Sequence, residues 1–290
     1  MRAFIRRAGK PSSLALALLP GLLFAVDASA ENGPQAAPAG APVSAITLLD
    51  GDRRQSLEDF AARRGLQHST VLARYAATGV VRCGNAVGTA QLVLATDVIT
   101  TAAHNLFDLQ GKLRGTGERC RFEIGVAGER QAIPLDIAHV ASGSSAPYGS
   151  PAIADWAVAR LTRPVVGVSP YPLAAAIAVP APIVLLAAAR PDGSAASAIE
   201  DCTAQAVTNA KSGMRELAVD CSGESGTSGA AFLTADGRFA GIYVGFRSRA
   251  PREPAPFSNK HYNFGVTAEG DFRRALLAAA ASPDYTSGTR

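Results

Sequence analysis

The sequence predicts an all-β protein with a helix at its C-terminal end, on three observations. Short β-prone runs recur at regular spacing from about residue 71 onward, and turn residues separate them; the 290-residue chain carries 28 Gly and 18 Pro. Many short strands punctuated in this way favour barrels or a sandwich over a parallel α/β sheet. At 48% hydrophobic and 18% charged residues, the chain is also far too apolar for a disordered or collagen-like protein and has the length for one large or two small cores.

Taken in order, the chain opens on a basic stretch, an apolar run of 13 residues (residues 14–26) and the small-x-small sequence Ala28-Ser29-Ala30. This is the pattern of a cleaved signal peptide, and the run is too short to span a bilayer. Residues 1–30 are therefore expected to be removed, leaving a chain that is exported, periplasmic or secreted. Residues 31–70 read as a flexible leader and candidate propeptide, because the Pro/Ala/Gly mixture of residues 31–44 has nothing to pack. Within it lies one helix signal: Ser56 as N-cap, Asp59 three residues on, Leu57, Phe60 and Ala61 as an apolar face and Gly65 as the stop.

Strands are expected near residues 79–83, 88–95, 98–101, 121–126, 132–140 and 157–161. A second set follows near 183–188, 203–207, 216–219, 230–233, 239–244 and 262–266. The Pro-punctuated stretch 163–172 between the sets marks a boundary, giving domains at 71–165 and 166–281. Residues 269–281 have helical composition, with Phe272, Leu276 and Leu277 on one side, and are expected to pack on the second half; residues 282–290 read as a tail.

Charge and cysteines bound the function. Arg2, Arg6, Arg7 and Lys10 against Asp27 carry a net +3 of the chain's +4, so the remainder is nearly neutral. With no basic run interleaved with aromatics, nucleic acid is not an expected partner, and no membrane span is expected. Cys83, Cys120, Cys202 and Cys221 contain no CxxC pair and no histidine at zinc spacing, so neither metal nor cofactor is expected. An even count in an exported chain favours two disulfides. Three connectivities are open; the favoured one pairs Cys83 with Cys120 and Cys202 with Cys221, each local to one half.

Three residues are candidates for chemistry. Ser228 sits between glycines in Gly226-Thr227-Ser228-Gly229, where the N–H groups of Gly226 and Ser228 can face one hollow and bind an oxyanion. His104 ends an apolar run behind small residues, which leaves room for an imidazole in a cleft. Asp155 precedes the apolar stretch that begins at Trp156. Each alone has an ordinary reading: a Gly/Ser turn, a loop histidine, a strand-edge aspartate. Their conjunction carries more weight, because the order His, Asp, Ser differs from the orders of subtilisins and α/β-hydrolases.

On residues 88–104 (GTAQLVLATDVITTAAH), 154–161 (ADWAVARL), 226–230 (GTSGA) and 239–245 (FAGIYVG), the sequence resembles the trypsin/chymotrypsin-like serine protease superfamily, in its bacterial secreted branch. That resemblance implies two antiparallel six-stranded β-barrels, a monomeric endopeptidase acting on protein or peptide substrates, and a His104-Asp155-Ser228 triad working through an acyl-enzyme. It also implies a substrate pocket at Ser222, Tyr243, Val244 and Gly245. Three positions depart from the pattern. Thr227 stands where animal digestive members carry the aspartate that pairs with a new N-terminus. Ser222 replaces the aspartate that selects Arg or Lys, and Tyr243 replaces the histidine of the glutamyl branch. Glu224 reads as an exposed loop carboxylate, His68 and His261 as surface positions, His139 as structural, and Trp156 as packed in the first barrel. A protease-fold binding protein that has lost catalysis, and an esterase on the same triad, are the alternatives.

Overall fold

The computed structural model describes residues 46–282. The expected signal peptide, the leader up to residue 45 and residues 283–290 of the tail lie outside the described residues. The described part of the 31–70 leader is built into the fold. It opens with the two-residue strand β1 (Ile46–Thr47), followed by the helices α1 (Leu57–Arg63) and α2 (His68–Tyr75). The Ser56 hydroxyl accepts the Asp59 N–H at 3.0 Å and so caps α1, and Phe60 and Ala61 are its buried face. Helix α2 lies outside the expected elements. It has no side-chain cap, and its inward positions Val71 and Tyr75 are the only apolar pair at helical spacing that it buries.

Six strands form the first closed barrel: β2 (Thr78–Cys83), β3 (Ala86–Leu92), β4 (Val98–Thr101), β5 (Cys120–Val126), β6 (Glu129–Ser142) and β7 (Ala157–Leu161). They run antiparallel in the ring order β2-β3-β4-β7-β6-β5, with the one-turn helix α3 (Ala103–Leu106) inserted after β4. A second ring follows from β8 (Ala181–Ala189), β9 (Ala195–Lys211), β10 (Met214–Val219), β12 (Ala231–Leu233), β13 (Phe239–Ser248) and β14 (His261–Thr267). Its order is β10-β14-β13-β12-β8-β9. The two-residue strand β11 (Gly223–Glu224) lies outside this ring and pairs with β1, Ile46 opposite Glu224 and Thr47 opposite Gly223.

All twelve expected strands are present, several of them longer than expected. β9 runs to 17 residues, and its second half is exposed. Its polar outer end lacks the apolar alternation by which a strand is recognised, and it is held as strand by pairing to β10. β4 and β7 are buried at every position, because one face fills the barrel and the other meets further structure.

Helix α4 (Gly270–Ala281) supplies some of that structure, and its packing corrects one expectation. It lies on β4, β6 and β7 of the first barrel as well as on β10 of the second. The reason is aromatic: Phe272 stacks on Trp156 with centroids 4.9 Å apart and meets Phe239 edge-on at 6.2 Å. Phe272 and Leu276 are fully buried, whereas Leu277, one position further round the helix, is 48% exposed. Cys83 is bonded to Cys120, joining neighbouring strands of the first barrel, and Cys202 to Cys221 in the second.

Candidate active site

The candidate residues come from three elements and open onto one cleft. His104 is carried by α3. Its main-chain N–H donates to Asp155 Oδ1 at 2.9 Å, and its ring Nδ1 lies 2.6 Å from Asp155 Oδ2. Asp155 ends a short 3₁₀ turn at residues 152–154 and is 7% exposed. Two bonds from one carboxylate to backbone and ring leave the imidazole little rotational freedom. With Nδ1–H donating to the carboxylate, Nε2 is left as the free acceptor. The His104 carbonyl is held in turn by Arg114 Nε at 3.1 Å, and the Arg114 Nη2 donates to the Tyr148 hydroxyl at 2.9 Å. Tyr148 stands at the cleft rim, its ring 6.1 Å from that of His104.

Ser228 is half-buried on the loop before β12. Its glycine neighbours are required by close approach. At Gly226 (φ +94°) an added Cβ would stand 2.6 Å from the Ala189 carbonyl oxygen. At Gly229 (φ +84°) it would stand 2.2 Å from the Thr89 carbonyl oxygen. The cramped side of Gly226 is thus β8, a constraint distinct from the open hollow expected there. The N–H groups of Gly226 and Ser228 donate to no carbonyl among the described residues, while their own carbonyls are taken. Thr89 N–H and Asn105 Nδ2 donate to the Ser228 carbonyl at 2.9 and 3.0 Å. The Thr89 hydroxyl donates to the Gly226 carbonyl at 2.9 Å and accepts the Ala188 N–H at 3.0 Å. One fully buried threonine of the first barrel therefore fixes the serine loop of the second.

The cleft has a volume of about 430 Å³ and is lined by His104, Asp155 and Ser228 together with Gly223, Tyr243, Val244, Gly245 and Phe264. Tyr243 is 3% exposed and its hydroxyl donates to Asn263 Oδ1 at 3.0 Å. Burial holds that phenol well above its usual pKa. Its ring lies against Gly223, where an added Cβ would fall 2.3 Å from the tyrosine oxygen.

Other expected site residues fall differently. Ser222 does not line the cleft; it is fully buried, its hydroxyl accepting the Leu49 N–H at 3.4 Å and donating to the Gly51 carbonyl at 3.3 Å. Glu224 does line the cleft but is no exposed carboxylate: its side chain is 12% exposed and lies 2.7 Å from Arg54 and 3.3 Å from Arg190. His261 is 7% exposed, bridging the Ser248 hydroxyl and the Leu48 carbonyl. His139 lies on β6 beside Asp136, and His68 is exposed. Thr89 and Asn105 escaped notice although each lies inside or beside a motif, because a buried hydroxyl or amide has no sequence periodicity to announce it.

No protein-family model matches the chain, and no curated protein matches it by sequence. In structure it is similar to a Glu endopeptidase solved in complex with MPD, at TM-score 0.58 and 17% identity, over 81% of this chain and 100% of that one. The apo protease domain of MamO from Magnetospirillum magneticum aligns at TM-score 0.47 and 15% identity, over 73% of this chain and 98% of that one. Two closed six-stranded barrels with a C-terminal helix and this likeness define the trypsin/chymotrypsin-like serine protease fold.

Proposed function

We propose that the chain is an exported serine endopeptidase. The observation that carries this reading is the His104–Asp155 pair, bonded at 2.6 Å, opening onto the cleft that also holds Ser228. Ser228 Oγ attacks the peptide carbonyl while His104 Nε2 takes its proton; Asp155 fixes the tautomer and stabilises the imidazolium. The N–H groups of Gly226 and Ser228 receive the developing oxyanion. His104 then protonates the leaving amine, and water releases the acyl group from Ser228. Two disulfides support an oxidising compartment, in keeping with the export signal read from the sequence.

The name of the Glu endopeptidase concerns that protein. Among the described residues no Lys or Arg lines the cleft, and we extend no acidic preference to this chain. An activity-based fluorophosphonate is expected to label the wild-type chain and to leave Ser228→Ala unlabelled. A folded preparation that resists labelling and cleaves no denatured protein overturns the proposal in favour of a binding protein. Turnover of esters with no turnover of matched amides overturns it in favour of an esterase.

A further inference from the structure

The segment from β1 to residue 55 contacts the loop that leads to Ser228 repeatedly, while Leu48, Asp50 and Gln55 bond elsewhere. β1 pairs with Gly223 and Glu224; the Leu49 N–H and the Gly51 carbonyl share the Ser222 hydroxyl; and Arg53 Nη2 donates to the Asp220 carbonyl at 2.6 Å. Arg53 Nε also pairs with the buried Glu200 at 3.0 Å, and Glu200 in turn accepts the Ser222 N–H at 2.8 Å. The last contact is charged as well. Arg54, 9% exposed, lies 2.8 Å from Asp52 and 2.7 Å from Glu224.

Glu224 bears the one charge between Gly223 and Ser228, and the turn that follows it is closed on itself. The Thr227 N–H donates to the Glu224 carbonyl at 3.0 Å, and the Glu224 N–H donates to the Thr227 hydroxyl at 3.1 Å. A turn locked at both ends moves as one piece, so an anchor on Glu224 also sets the direction of the Gly226 and Ser228 N–H groups. Arg190 approaches the same carboxylate from the end of β8, with its side chain 32% exposed. Arg190 Nη1 makes the directed hydrogen bond to that carboxylate, whereas Arg54 is the drier and closer partner, its Nη1 a charge contact at 2.7 Å outside hydrogen-bonding geometry.

From this geometry we infer that Arg54 is a positioning residue for the Ser228 loop: its guanidinium, delivered by the N-terminal segment, holds Glu224 and so presets the two amides that receive the oxyanion. The inference rests on the endopeptidase reading. It also assigns residues 46–55 to the active domain rather than to a dispensable leader.

The test compares wild type, Arg54→Leu and Arg54→Lys on one amide substrate, with a peptide boronate as oxyanion mimic and the matching product peptide as a control. Arg54→Leu is expected to lower kcat about tenfold or more and to weaken the boronate in parallel, a modest share of what a lost oxyanion donor costs. KM and product affinity are expected to stay near wild type, and Arg54→Lys to recover most of kcat, because a merely structural defect would not spare one ligand class. A folded Arg54→Leu whose kcat and boronate affinity match wild type overturns the inference. If Arg54→Leu does not fold, Glu224→Gln keeps the shape and removes the charge; a wild-type kcat and boronate affinity there overturn it equally. Failure of the wild-type chain to label with fluorophosphonate is a separate result, and it removes the endopeptidase reading itself.

Discussion

Single side chains decide how the proposed chemistry is set up. Asp155 touches His104 twice, once through the backbone and once through the ring, so its replacement by Asn leaves the shape and presents the ring with the wrong hydrogen-bond partner. Asp155→Asn is expected to lower kcat on the order of 10⁴-fold with little change in thermal midpoint, measured by steady-state kinetics beside a melting curve. Thr89 is the opposite case, a residue that does not line the cleft and holds the loop that carries Ser228. Thr89→Val is nearly isosteric but strips the Gly226 carbonyl of its donor and the Ala188 N–H of its acceptor, with a stability loss of about 1–3 kcal/mol expected in urea titration. Glu200 gives the clearest pH signature. Burial outweighs the Ser222 N–H and Arg53 and pushes its carboxyl up from 4.5 to about 7. A raised carboxyl binds its proton more tightly in the folded chain, so its contribution to stability is complete below about pH 4.5 and is lost as pH rises through about 7. Glu200→Gln is expected to flatten the stability profile between those values, read from denaturant midpoints at successive pH.

Among the elements, α4 and the N-terminal segment connect parts that the barrels alone would leave separate. α4 brings Phe272 between Trp156 and Phe239, joining an aromatic residue from each barrel. Phe272→Ala is expected to cost about 3–5 kcal/mol, because a cavity between two aromatic rings does not collapse easily. The N-terminal segment works through polar contacts to the loop at residues 220–224. The expectation of a flexible leader over residues 31–70 rests on the composition of residues 31–44, and it does not describe the residues from 46 onward. Beyond that stretch Leu49 and Phe60 are fully buried.

On the scale of the molecule, each barrel carries its own disulfide, the bonded cysteines standing 37 and 19 positions apart in sequence. Chain-entropy cost grows slowly with loop length, so each bond is expected to contribute about 3–4 kcal/mol. Reduction under non-denaturing conditions is therefore expected to lower the melting temperature by several degrees per bond, checked by calorimetry with and without reductant. The cleft gathers residues from both barrels, which makes its geometry sensitive to either bond.

Much of the fold was legible in the sequence because it rests on local signals. Alternating β-prone runs and turn residues located the strands, the Ser56 cap located α1, and helical composition located α4, with Phe272 and Leu276 but not Leu277 on its buried face. His104, Asp155 and Ser228 were legible as candidates, His104 behind small residues, Ser228 between glycines and Asp155 ahead of an apolar stretch. What the tertiary structure alone decided is partnership between residues remote in sequence. Glu224 has the same local sequence whether it is exposed or paired, and only the folded chain sets Arg54 and Arg190 beside it. Ser222 and His261 likewise turn inward because β1 and the residues after it supply backbone groups for them to bind. Hydrophobic periodicity is a property of neighbouring positions. The pairing of buried polar groups belongs to the closed fold and is settled only when distant segments meet.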